Sequence, residues 1–391
     1  MPLNGEHLIP VDCEHLEPGM YVAELDRSWL HTPFESRGFV ITQDSEIDIL
    51  RRSCDYVYVD TARSETTPIA KTAVSAEPAR LGTEPESKLG PAERVLELNG
   101  CREVLDDACS QIAATICAAR RIGSLDCAPI EDKLDDFVDH VLEWPDAVQW
   151  ILSTEPGHGY LKRRSVGTAV YAIVFGHHLG LDRAALRDLA LGALLLDIGK
   201  TSVPITILSK PKRLNSVERS FVRRHVDCSV TLARLNARLD QRVVDMIGGH
   251  HERMDGSGYP HRIVSSEIPL YARIAAIADT FDAMTQDRGY ASARSGHDAL
   301  RYLNTWRNTR FDAALVDEFI HAVGVYPVGT QVELADGSIG TVCRHEPGEP
   351  KRPHVLVTHD PQGEALDLPQ IGEPAPHRRI QRALPAAAAL R

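Results

Sequence analysis

The run Gly249-His250-His251-Glu252-Arg253-Met254-Asp255-Gly256-Ser257-Gly258-Tyr259-Pro260 places two adjacent imidazoles ahead of a glycine-rich turn. Neighbouring histidines at a helix end can aim both rings into one cleft. The turn draws its φ freedom from Gly256 and Gly258 and ends at Pro260. Upstream, Leu195-Leu196-Asp197-Ile198-Gly199-Lys200 has the frame of a His-Asp metal motif with leucine where the histidine belongs. Metal ligands must offer lone pairs at fixed positions, and imidazole with carboxylate suits Fe, Mn, Zn or Ni. Asp197, His225, His250, His251 and Asp279 are the candidates, so the pattern points both to a divalent transition-metal site and to damage within it. The pair His177-His178 lacks such a context and is read as non-functional.

The surroundings of these motifs are helical. Val166, Val170, Ile173 and Val174 form one buried stripe, and Leu186, Leu189, Leu191, Leu194 and Leu195 form another that reaches Asp197. Residues 155–325 therefore read as a helical domain, preceded over 93–154 by a helical connector with Val104, Ala108, Ile112 and Ile116 at helical spacing. The ends differ. Residues 1–62 read as a β-rich domain of strands and turns, from Tyr21–Leu25, Gly38–Ile41 and Tyr56–Asp60. Residues 63–92 have the Thr, Ser, Ala, Glu and Pro composition of a flexible linker. Residues 326–370 read as a β-meander with a turn at Asp336-Gly337, and 371–391 as a tail. The expected fold is mainly α, with a small β module at each end.

Composition narrows the ligand. A net charge of -12 is a poor match for a nucleic-acid polymer or an acidic membrane face, whereas a local basic patch can still hold a small phosphorylated molecule. The eight cysteines show no CxxC pair and read as reduced thiols in apolar surroundings. The N-terminus has no basic segment followed by an apolar core, and no apolar run is long enough to span a membrane. A cytoplasmic protein is expected.

The ordered set Asp197-Ile198-Gly199-Lys200, His225, His250-His251-Glu252-Arg253 through Gly258-Tyr259-Pro260, Ile277-Ala278-Asp279 with Asp282-Ala283, and Asp287-Arg288 with Tyr290 resembles the HD-GYP family. These are all-helical members of the HD superfamily that hydrolyse cyclic di-GMP at a two- or three-metal site. Residues 8–62, with Pro18-Gly19-Met20-Tyr21-Val22, look like the uncharacterised domain that often precedes HD-GYP in bacterial regulators. The resemblance implies that Asp197, His225, His250 and His251 hold one metal. It assigns the other metal to Asp197, Asp279 and two histidines, and those positions carry Arg164 and Leu196 here. The acidic position for a third metal carries Tyr160. Asp197 and Lys200 match catalytic positions, and Lys200 and Arg288 match phosphate-binding ones. A further basic position carries Ala291, which removes a charge-assisted bond worth roughly 1.5–3 kcal/mol.

Arg164 has two readings, a guanidinium restoring charge between Asp197 and Asp279 or a side chain turned to solvent beside Arg163. Leu196 reads as an extension of the apolar run. The Gly258-Tyr259-Pro260 loop reads as a turn or, by the resemblance, as a surface for GGDEF-type cyclase partners. The resulting expectation is a degenerate HD-GYP protein with one metal per chain at most, acting as a cyclic di-GMP sensor or partner-binding module with little or no hydrolysis. The alternatives are an active phosphodiesterase using the intact metal site and a structural module that binds no nucleotide. Oligomeric state is left open.

Overall fold

The computed structural model describes residues 8–13, 16–25, 38–53, 56–61, 63–64, 91–155, 160–208, 210, 212–236, 239–286, 293–345, 353–372 and 379–385. The chain divides into two compact units, Met1–Leu89 and Gly90–Arg391. The linker composition, Arg288 and Ala291 fall wholly or mainly outside the described residues, as do the Ala386–Arg391 end and the Tyr160 side chain.

In the first unit, β1 (Leu8–Asp12), β4 (Tyr56–Asp60), β2 (Tyr21–Leu25) and β3 (Phe39–Val40) form an antiparallel sheet in that order. Val11, Val22, Val57 and Val59 are buried on it. The stretch read as strands and turns also contains a helix, α1 (Asp44–Ser53), which buries Ile47 and Leu50 in the same core. Its start is set by Glu46, whose carboxylate accepts the backbone N–H groups of Thr42 and Gln43 at 2.7 and 2.9 Å. The apolar residues that sheet and helix share made the helix resemble strand in the sequence.

The second unit is a helical core followed by a small sheet. Three helices lead in: α2 (Pro91–Ile122), α3 (Ala128–Glu143) and α4 (Pro145–Thr154). On α2 the buried stripe is Cys101, Leu105, Cys109, Ile112 and Ala119, while Val104, Ala108 and Ile116 pack at its margin. Cys101 and Cys109 serve on that stripe as small apolar side chains. All cysteines among the described residues are free thiols.

The site is positioned by α5 (Tyr160–His178), α6 (Arg183–Leu195), α9 (His225–Leu235), α10 (Gln241–Gly249) and α11 (Leu270–Thr285). Asp182 caps α6 by accepting the Ala185 N–H at 2.8 Å, and Leu186, Leu189, Leu191, Leu194 and Leu195 are all buried. Helices α5 and α11 are locked to α13 (Ala313–Val323) by edge-on rings: Tyr171–Phe281 at 4.8 Å, Phe281–Phe319 at 5.2 Å and Phe175–Phe319 at 5.1 Å. Each pair adds about 0.5–1.5 kcal/mol beyond burial, and together they fix the α5 face that carries Arg164 against the α11 face that carries Asp279. No described helix is long and apolar enough to cross a membrane.

The C-terminal sheet runs β8 (Ala365–Gly372), β7 (His354–His359), β6 (Ile339–Arg344), β5 (Gln331–Leu334), β9 (Ile380–Ala383). Val332, Leu334, Val342, Val355 and Val357 form its core. Strands β5 to β8 make a meander, but β9 lies in the stretch read as tail and returns to pair with β5. With Arg382 bridging to Glu333 and only four residues long, β9 carried too little apolar signal to be read as a strand.

Candidate metal centre

Four side chains meet where α6, α9 and α10 come together. One ligand atom from each of Asp197, His225, His250 and His251 lies within 4.8 Å of the others. Asp197 follows α6 at the start of a short 3-10 turn, Ile198–Ser202. That turn has to lie flat on α9, and Gly199 permits it: a Cβ there would sit 2.1 Å from the His225 carbonyl oxygen. Ser229 latches the contact. Its hydroxyl accepts the Gly199 N–H at 2.8 Å and donates to the Leu196 carbonyl at 2.9 Å, so Asp197 is held at a fixed place relative to His225. Sequence reasoning missed Ser229, whose only sign was a hydroxyl on an otherwise apolar helix face.

The two histidines of the pair are held from the other side. Arg253 donates to the carbonyls of His250 and Glu252 at 3.1 and 2.7 Å, which ends α10. The buried Glu252 carboxylate accepts the backbone N–H groups of His261, Arg262 and Ile263 at 2.7, 3.1 and 3.1 Å and so folds the loop back over the site. Gly256 has φ +72, as a turn glycine should, but Gly258 does not supply φ freedom. It serves close approach instead, since a Cβ on it would lie 2.5 Å from the Arg253 nitrogen. Tyr259 is only half-exposed, its ring stacked on His251 at 4.6 Å, so it forms a wall of the site. Glu252→Ala would leave three N–H groups unanswered and lower metal affinity by roughly ten- to a hundredfold, as loss of outer supports does. Chelator competition measures this, and unchanged affinity would show that the loop does not depend on Glu252.

Donor chemistry fits one cation. His225 and His250 donate Nδ1–H to the Val222 and Ile247 carbonyls at 2.6 and 2.8 Å, so in the neutral ring Nε2 is the nitrogen that offers a lone pair. His225 Nε2 and Asp197 Oδ1 lie 3.2 Å apart, yet both are buried without a hydrogen-bond partner. Two such orphaned acceptors are costly unless a cation answers them. Burial pushes the His250 imidazole down to about 4, and burial with the neighbouring imidazoles holds His251 well below its ordinary value. Both rings are therefore neutral at pH 7, as ligation requires.

On the far side of Asp197 a guanidinium faces the carboxylates. Arg164 is 8 % exposed, so it does not turn to solvent. Its Nη2 donates to Asp279 Oδ1 at 2.6 Å, and its Nε lies 3.5 Å from Asp197 Oδ2. Lys200 Nζ also donates to Asp197 Oδ2, at 2.5 Å. Burial would raise both carboxyls, but the charges of Lys200 and Arg164 hold Asp197 well below the usual carboxylate range, and that of Arg164 lowers Asp279. Leu196 is buried in the helical core. His178 bonds to Glu318 at 2.9 Å, on the α5–α13 side.

The HD domain family matches residues 146–315, and a domain of unknown function, DUF3391, matches residues 8–130, running past the β-rich unit through α2. The chain is 33% identical over 357 residues to the cyclic di-GMP phosphodiesterase PA4108 of Pseudomonas aeruginosa, covering 89% of this chain and 84% of that one. It is 35% identical over 168 residues to the cyclic di-GMP phosphodiesterase response regulator RpfG of Xanthomonas campestris pv. campestris, covering 41% and 44%. Among solved structures, Bd1817, a HDG"Y"P protein from Bdellovibrio bacteriovorus, aligns over 80% of this chain and 98% of that one with a TM-score of 0.49 and 14% identity. With the paired histidines, the Asp197 turn and a relative matched along most of both chains, this chain belongs to the HD-GYP family and carries a DUF3391 domain ahead of its HD domain.

Proposed function

We propose that the protein is a one-metal member of its family that binds cyclic di-GMP as a signal and hydrolyses it little or not at all. The observation that carries this is the Arg164 guanidinium bonded to Asp279 and set beside Asp197. In a two-cation clamp, one ion acidifies the attacking water and both bear charge on the attacking and leaving oxygens. A guanidinium supplies positive charge and N–H donors, but it has no empty orbital for an oxygen lone pair and cannot acidify water as a Lewis acid does. Asp197, His225, His250 and His251 would hold the remaining ion, whose role is to polarise a phosphate oxygen. Lys200 neutralises Asp197 and keeps the phosphate from meeting a bare carboxylate.

The relative matched along most of this chain is named a cyclic di-GMP phosphodiesterase, and with the complete four-ligand cluster this favours a second reading, a slow enzyme on one ion. The two readings share the ligand and differ in turnover. Elemental analysis after anaerobic purification, with chromatography of cyclic di-GMP incubated with the same sample, separates them. One Fe, Mn, Zn or Ni per chain and intact nucleotide are expected. One metal with steady release of linear nucleotide would establish the slow enzyme, and two metals per chain would overturn the one-metal reading.

A further inference from the structure

Arg223 closes α8 (Ser216–Arg223), an amphipathic helix with no buried residue, begun by an Asn215–Glu218 capping box. It lies two positions before the ligand His225. Its guanidinium rests over the Tyr259 ring at 4.8 Å, the same ring that stacks on the ligand His251 at 4.6 Å. Three other cations at the centre among the described residues are committed: Arg164 to Asp279, Lys200 to Asp197, and Arg253 to two backbone carbonyls. Arg223 is exposed and forms no hydrogen bond or ion pair among the described residues. Neighbouring Arg224 points elsewhere, with its guanidinium over Phe221 at 5.7 Å.

We infer that Arg223 is a ligand-binding residue at the rim of the centre, where it holds the second phosphodiester of a cyclic dinucleotide whose first lies at the metal. This rests on the cyclic di-GMP reading above. Such a ligand carries its two phosphodiesters on opposite sides of one macrocycle, so one can meet the metal while the other reaches outward. An unpaired guanidinium in a chain of net charge -12 attracts a second anion there, and its planar fork donates to two phosphate oxygens at once. The Tyr259 ring keeps the side chain at the rim by a cation–π contact and limits the freedom lost on binding.

The test is calorimetric titration of the full chain with cyclic di-GMP and, separately, cyclic di-AMP. Arg223→Ala is expected to raise the Kd for cyclic di-GMP about tenfold, the usual order for one charge-assisted contact. Arg223→Lys should lose about threefold, since it keeps the charge without the fork. Metal content and Tm should be unchanged in both, because the side chain is exposed. Cyclic di-AMP binding, where measurable in the unmodified protein, should weaken by the same factor as cyclic di-GMP. An unchanged Kd for Arg223→Ala would overturn the inference and leave the cyclic di-GMP reading standing. A loss confined to the guanine ligand would overturn the phosphate assignment in favour of a base contact. If the unmodified protein binds neither nucleotide, the reading itself fails and this inference with it.

Discussion

Arg164→His combined with Leu196→His should raise the metal content to two per chain and bring hydrolysis of cyclic di-GMP up on the order of a hundredfold or more, since a second Lewis acid contributes several kcal/mol to the barrier. The reasoning is geometric. Asp197 and Asp279 already converge on one guanidinium, so removing it frees two carboxylates for an ion, and the two imidazoles supply the nitrogens that a neutral site lacks. Either substitution alone leaves that ion a ligand short and should give much less. Leu196 lies in the core, and a histidine there loses packing and must bury a polar ring, so folding has to be checked by Tm at the same time. A folded double variant that takes up two metals and leaves the nucleotide intact would show that the pocket has changed beyond its ligands. An unmodified protein that already matches the double variant would make Arg164 no obstacle to catalysis.

Arg164→Ala should destabilise the metal-free protein by roughly 3–5 kcal/mol at pH 7, the usual cost of stripping a partner from a buried ion pair. The pH dependence has a definite sign. Asp197 and Asp279 are depressed in the folded state, so the stability they contribute is present above the unfolded carboxylate value near about 4 and is lost as pH falls through their lower folded values. Without Arg164 that depression shrinks, and the two proteins should converge in stability as the pH drops below about 4. Denaturant unfolding at neutral and acid pH with chelator present measures the difference. A small, pH-independent gap would mean that Lys200 alone carries the charge balance.

The helical core and its outer sheets could be read from apolar periodicity, because α6 and the β5–β8 strands repeat their burial at the period their backbone imposes. The helical spacing on α2 agrees with the structure, with Cys101 and Cys109 completing its buried stripe, whereas the α1 helix was absorbed into its strand neighbours. The four positions that the structure gathers into one cluster could be singled out for a different reason: imidazole pairs and acidic turns carry a chemical signature at short spacing. Arg164 could be located but not oriented. A guanidinium on a helix next to Arg163 faces water or carboxylates according to packing between α5 and α11, and its partner Asp279 lies 115 residues away in sequence. The supports were hardest to see. Ser229 and Glu252 act through backbone groups, and a hydroxyl or carboxylate that serves the main chain has no spacing rule to betray it.

The latch made by Ser229 and the clamp made by Arg253 and Glu252 lie on different segments, and this divides the centre into two preassembled halves. One half carries Asp197 and His225, the other His250 and His251, and no hydrogen bond joins the ligands of one half to those of the other among the described residues. An ion bound between them would crosslink α9 and the end of α10. Local opening along that seam then costs the ion its coordination as well as the protein its packing, so protection of these amides against exchange should rise with metal concentration while that of the distant β5–β9 sheet stays level. The cell's supply of transition metal would thereby set how firmly this part of the domain is closed, quite apart from any reaction performed there.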